Sequence, residues 1–166
     1  RLGRTWRGEP DVADADELAA LSAIGADVPF FAAGVAAARV TGIGEQIEPR
    51  ATVERHVVLA HPPFGLSTAA IFAELRQTEW GSGEPTDLLA PALRLRPELA
   101  SVLDVVRRAG GEARLTGSGP TVFATFDDPQ RAAFVAGAIT GAGLRATMTR
   151  TRTAPAAIGG TDQEDE

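Results

Sequence analysis

Three observations predict an α+β fold. From residue 55 onward the apolar residues switch repeatedly between the alternation of strands and the three-to-four spacing of helices, in the order β-α-α-β-β-α-β. Glycine and proline cluster where the period switches, at His61-Pro62-Pro63, Gly110-Gly111 and Gly117-Ser118-Gly119-Pro120. The 166 residues are 44% hydrophobic, enough for one domain with a real core, or for most of one and part of another. An antiparallel sheet covered on one face by helices satisfies that order. It is the split βαβ arrangement of a ferredoxin-like sandwich, with one extra helix inserted.

Residues 1–13 carry Leu2 and Trp6 at helical spacing before Gly8 and Pro10, like the closing turns of a helix. The chain opens on Arg1 and not on Met, so it is expected to continue upstream. Asp14 and Glu17 have the spacing of a capping box, which starts a helix bearing Leu18, Leu21 and Ile24. Gly25 can close that helix in the left-handed conformation. The stretch Gly25-Ala26-Asp27-Val28-Pro29-Phe30-Phe31 then reads as a rigid corner. Val28 precedes proline and is expected to be extended, with Phe30 and Phe31 anchoring the corner in the core. Residues 36–40 and 46–48 form a hairpin around Thr41-Gly42-Ile43-Gly44-Glu45, and that hairpin is expected to cover the corner.

The run 56–60 reads as a buried strand, stopped by two prolines. Ser67 caps a helix bearing Ala70, Ile71 and Leu75, and the loop 81–85 is expected to be mobile. Pro97 suits the first turn of a helix whose Leu99, Val102, Leu103 and Val106 share one face. Residues 112–116 and 121–126 alternate as a hairpin, 129–139 form a helix with Ala132, Val135, Ala136 and Ile139 inward, and 144–149 form a last strand. Residues 153–166 offer little to bury and are expected to be disordered. The resulting division is 1–50, 51–152 and an acidic tail.

Composition excludes several function classes. There is no cysteine, hence no disulfide and no thiolate metal site, and two histidines do not make a structural zinc site. No run approaches the ~18 apolar residues of a membrane span, so the cytoplasm is the expected location. The net charge is −6, the arginines are scattered and the end is acidic, a poor match to nucleic acid. All sixteen basic residues are arginine, so chemistry that needs lysine has to borrow one.

Asp27 is the first candidate for chemistry, because a carboxylate on a rigid corner can orient a hydroxyl and take its proton. An aspartate after a helix can equally satisfy backbone amides. Gly117, Ser118 and Gly119 form the second candidate, since amides freed of Cβ bulk can cradle an anion, although the same residues suit an ordinary hairpin turn. Thr68 opens a helix where a hydroxyl can meet a polar substrate or simply support the cap. Phe72, one turn on, can stack on a base or belong to the core. His56 and His61 flank a buried strand and read as structural.

Taken together and in order, Gly25 to Phe31, Thr41 to Glu45, Leu66-Ser67-Thr68 with Ile71-Phe72, and Leu115 to Gly119 resemble the GHMP kinases. Within them, the similarity is to the family that phosphorylates 4-diphosphocytidyl-2-C-methyl-D-erythritol in non-mevalonate isoprenoid synthesis. The resemblance implies a GHMP-kinase-like α+β fold, with 1–50 a remnant of the amino-terminal domain and 51–152 the carboxyl-terminal domain. It implies that Asp27 is the catalytic aspartate, that Gly117, Ser118 and Gly119 lie beside the phosphates, and that Thr68 and Phe72 lie near the erythritol and cytosine. ATP and Mg²⁺ are the implied co-substrate and metal, and a cytidine diphospho-methylerythritol the small-molecule partner. The family's lysine and Gly/Ser-rich ATP loop have no counterpart here, and Thr86-Asp87-Leu88 replaces its frequent Asn-Asp-Leu. A mevalonate- or homoserine-type kinase, or a non-catalytic ferredoxin-like binding fragment, are the alternatives.

Overall fold

The computed structural model describes residues 13–81 and 86–154. The expected helix end before residue 13, most of the 81–85 loop and most of the acidic tail lie outside the described residues. The chain divides into two compact units, one holding residues 13–54 and 152–154 of those described, the other Arg55–Thr151.

In the first unit, α1 (Ala15–Ser22) begins at Asp14, whose side chain accepts from the Glu17 amide at 2.9 Å while Glu17 accepts from the Asp14 amide at 3.0 Å. The predicted capping box is therefore formed. The corner differs from expectation in three ways. Gly25 does not take a left-handed φ; instead the Val28 amide donates to the Gly25 carbonyl at 3.1 Å and the chain turns directly into α2 (Val28–Ala32). Val28 is helical, not extended. Pro29 sits in the first turn, where a backbone N–H has no intrahelical acceptor to lose, so proline is tolerated there despite its steric effect on Val28. Phe31 is not an anchor, at 69% exposed, and Phe30 is only half-buried, while Pro29 is buried. Residues 29 and 31 are about 200° apart around a helix, so burying one turns the other outward. The hairpin is as expected, with β1 (Ala38–Thr41) antiparallel to β2 (Gln46–Pro49) and Val40 opposite Ile47.

The second unit is a four-stranded antiparallel sheet in the order β4-β5-β3-β6, from β3 (His56–His61), β4 (Arg114–Leu115), β5 (Val122–Phe126) and β6 (Arg145–Arg150). That order and the helices between the strands are the ferredoxin-like split βαβ sandwich. Val58 pairs with Ala124 and Met148, and Ala60 with Val122 and Ala146, so their side chains lie on one face. That face packs on α5 (Leu99–Arg108) and α6 (Pro129–Gly141), following α3 (Thr68–Glu74) and α4 (Leu89–Leu95). Leu99, Val102, Leu103 and Val106 of α5 and Ala132, Val135 and Ile139 of α6 are buried, as the spacing predicts. Full burial of such an aliphatic side chain contributes about 1.5–3 kcal/mol.

The helix α4 is absent from the order read in the sequence, which passes from the loop 81–85 to the helix at Pro97. Pro91 is the third residue of α4, again within the first turn, and is buried. Thr86 closes that end, its hydroxyl accepting from the Leu88 amide at 3.2 Å. The strand expected over 112–116 is only two residues long. Beyond it the chain already enters the glycine loop.

Candidate functional site

Asp27 occupies the residue before α2, with φ −88° and ψ −14°. Its side chain caps no amide, and it is exposed. Among the described residues it makes no ion pair. A carboxylate spent on capping would have found its partner here, so the reading in which Asp27 merely satisfies backbone amides is not the one the structure adopts. Behind Asp27, the hairpin turn packs on the corner through Gly44, which is buried against Ala26.

In the second unit, Gly117-Ser118-Gly119 links β4 to β5. Gly117 and Gly119 have φ of +53° and +83°, and the Gly119-Pro120 peptide is cis. The loop closes through the Thr116 amide on the Thr121 carbonyl at 3.0 Å and the Gly119 amide on the Thr116 carbonyl at 2.8 Å. The amides of Gly117 and Ser118 donate to no group among the described residues. Two adjacent free N–H groups between left-handed glycines can receive an anion.

The structure joins two candidates that are separate in the sequence. Thr68 Oγ1 and Ser118 Oγ are 2.9 Å apart, a hydrogen bond spanning fifty residues that ties the start of α3 to the glycine loop. Thr68 is thus more than an adjunct to the cap, which Ser67 supplies by accepting from the Ala70 amide at 3.3 Å. Phe72, one turn along α3, is 58% exposed, while Ile71 beside it is fully buried. Phe72 is therefore not a core residue, and its ring is open to a ligand.

A polar clamp holds the far end of α3. Arg94 donates to Glu74 Oε1 at 2.7 Å, to the Glu74 carbonyl at 2.7 Å and to both carboxylate oxygens of Glu79 at 2.5 and 3.0 Å. The Arg94 hydrogen bond and the Arg76 amide hold the Glu79 carboxyl down to about 2, and the two carboxylates raise Arg94. This clamp is not legible from spacing, because Arg94 lies on the helix that the sequence reading misses. His61 is structural, its Nε2 lying 3.0 Å from Thr147 Oγ1. Burial, and then the Arg145 charge, lower its pKa.

The family profile described as "GHMP kinases C terminal" matches residues 68–145, a stretch that contains α3, the glycine loop and α6. Those residues are thus similar to the carboxyl-terminal domain of the GHMP kinases. It is 33% identical to the 4-diphosphocytidyl-2-C-methyl-D-erythritol kinase of Hahella chejuensis, over 81% of this chain and 48% of that protein. It is 39% identical to the enzyme of that name from Nocardia farcinica, over 84% of this chain and 54% of that protein. The crystal structure of a 4-(cytidine 5'-diphospho)-2C-methyl-D-erythritol kinase superposes with a TM-score of 0.65 at 28% identity, covering 82% of this chain and 62% of that one. The chain spans about half the length of the curated relatives it matches. Among the described residues, no helix is long and apolar enough to cross a membrane.

Proposed function

We propose that the protein to which this chain contributes transfers the γ-phosphoryl group of ATP to the 2-hydroxyl of 4-diphosphocytidyl-2-C-methyl-D-erythritol, in cytoplasmic non-mevalonate isoprenoid synthesis. Relatives bearing that enzyme name align with most of this chain. The observation that carries the reading is the uncommitted carboxylate of Asp27, fixed at a helix start. In this proposal Asp27 orients the acceptor hydroxyl and takes its proton. The hydroxyl oxygen bonds to the γ-phosphorus as the bond to the bridging oxygen breaks, and ADP leaves with that electron pair. Gly117 and Ser118 donate amide N–H groups to phosphate oxygens, and Gly119 shapes the loop that aims them. Thr68 and Phe72 take the polyol and the cytosine ring.

Mg²⁺ supplies charge neutralisation at the phosphates when it arrives with the nucleotide. Among the described residues, no group of three His, Cys, Asp or Glu side chains is placed to hold a metal ion. Phosphate oxygens and water provide most Mg²⁺ ligands in nucleotide sites, so no side chain of this chain is assigned to it.

The test is ADP release by the full-length protein, with the cytidine diphospho-polyol, mevalonate and homoserine offered separately. Turnover with the first alone is expected. Turnover with mevalonate or homoserine, and none with the cytidine compound, would replace this acceptor with another within the same superfamily.

A further inference from the structure

The hairpin turn Gly42–Glu45 is shaped around its own carboxylate. Glu45 Oε2 accepts from the Ile43 amide at 2.8 Å, and Gln46 Nε2 donates to Glu45 Oε1 at 3.3 Å. Thr41 Oγ1 in turn donates to the Gln46 side-chain oxygen at 3.0 Å, across the end of the hairpin. The carboxylate lies over Gly42 so closely that a Cβ there would be 2.6 Å from Glu45 Cδ. Its hydrogen bonds to the Glu45 and Ile43 amides hold the Glu45 carboxyl below the usual carboxylate range.

The turn presents Gly44 to the corner. Gly44 has φ +112° and is buried, and a Cβ on it would be 2.7 Å from the Ala26 carbonyl carbon and 2.9 Å from Ala26 Cα, and closer still to the carbonyl oxygen. Real Cβ atoms do not approach backbone so closely, so the hairpin and the corner meet backbone to backbone. The Ala26 carbonyl shares one rigid peptide plane with the nitrogen and Cα of Asp27. Whatever presses on that carbonyl sets the direction in which the Asp27 side chain leaves the backbone.

From this contact we infer that the Gly42–Glu45 turn is a positioning device for Asp27, with Gly44 as the buttress and Glu45 as the lock that keeps the turn in shape. The inference deepens the kinase reading and rests on it for the catalytic consequence. Neither Gly44 nor Glu45 is a catalytic residue here; both act through the Ala26-Asp27 peptide.

The experiment compares Gly44→Ala, Glu45→Ala and Glu45→Gln in the full-length protein, by amide NMR and by steady-state kinetics. In Gly44→Ala the Ala26, Asp27 and Val28 resonances move, while those of Val57 to Leu59 stay. Displacing a reacting group by about 1 Å can cost ~10²-fold, so kcat is expected to fall roughly 10- to 100-fold, with both KM values within about twofold. Glu45→Ala follows in the same direction. Glu45→Gln retains an oxygen that can accept from the Ile43 amide and restores most of kcat. A folded Gly44→Ala with unmoved Asp27 resonances overturns the inference, as do moved resonances with an unchanged kcat. If Gly44→Ala does not fold, Glu45→Ala decides by the same two readouts. A wild-type protein with no kinase activity would sink the functional reading alone, and the resonance shifts would still decide the buttress.

Discussion

Replacing Gly119 with alanine separates two demands that the glycine loop places on its backbone. Gly119 has φ +83°, and a Cβ there would lie 2.8 Å from Leu115 Cδ1. Leu115 is buried in the core cluster and has little room to yield. The left-handed backbone costs a non-glycine residue about 1–2 kcal/mol, and forcing an extra methyl into packed surroundings about 1–3 kcal/mol, so Gly119→Ala should lose about 2–5 kcal/mol. Gly117→Ala isolates the first demand, since φ is +53° and nothing lies within 4 Å of its Cβ position; about 1–2 kcal/mol is expected. Gly137→Ala is the opposite control, because Gly137 lies inside α6 with a negative φ and open space at its Cβ, and alanine should add about 0.5–1 kcal/mol. Urea unfolding followed by far-UV circular dichroism measures all three against the parent chain. A typical domain has only ~5–15 kcal/mol of stability, so the differences are well resolved. If Gly119→Ala is no less stable than Gly117→Ala, the Leu115 contact does not constrain the loop and the reasoning fails.

Asp27→Asn in the full-length protein should lower turnover by orders of magnitude and leave the circular dichroism spectrum unchanged; near-normal turnover would remove Asp27 from the chemistry. Amide exchange should be far slower at Val57 to Leu59 and Val122 to Ala124 than at Leu18 to Ser22, because α1 has no buried residue while the strands line the core. His61 has a depressed pKa in the fold, so its contribution to stability is complete above the ordinary histidine pKa of ~6.5 and is lost as pH falls through the folded value. The urea midpoint should therefore drop less between pH 7.5 and 5.5 in His61→Gln than in the parent chain; equal drops would exclude His61 as the cause. Glu79 is also depressed, to about 2, so its contribution is present above 4.5 and lost as pH falls toward 2. Carboxyl NMR should show that Arg94→Met returns Glu79 toward its ordinary range, and an unmoved titration would mean that Arg94 is not the cause.

Periodicity carried most of the second unit. Leu99, Val102, Leu103 and Val106 recur on one helical face, and 122, 124 and 126 alternate inward, so a buried stripe and a buried strand are visible without any knowledge of partners. Capping chemistry was equally local, at Asp14 with Glu17 and at Ser67. Proline was the weak sign. Pro29 lies in a first turn, where the missing N–H costs nothing, yet the residue before it reads as extended when its position in the helix is unknown. The Arg94 clamp is hidden with α4, a helix absent from the order read in the sequence.

The candidate site was legible as residues and illegible as geometry, for one physical reason. Its parts are fixed by contacts that no period announces: the Thr68 hydroxyl on Ser118, and the backbone of Gly44 on that of Ala26. Glycine in Thr41 to Glu45 shows only that a turn is permitted. It does not show that the absent Cβ makes room for another backbone, because that depends on where the corner goes. At the corner, in turn, the aromatics read as the anchors because they are its largest apolar side chains. Phe30 and Phe31 instead stack edge to face with centroids 5.4 Å apart, Phe31 outward, while buried Pro29 and the Gly44 contact hold the backbone. A carboxylate held through its backbone keeps its own oxygens free of partners. That is the state in which Asp27 stands, and it is what a group waiting for a substrate hydroxyl requires.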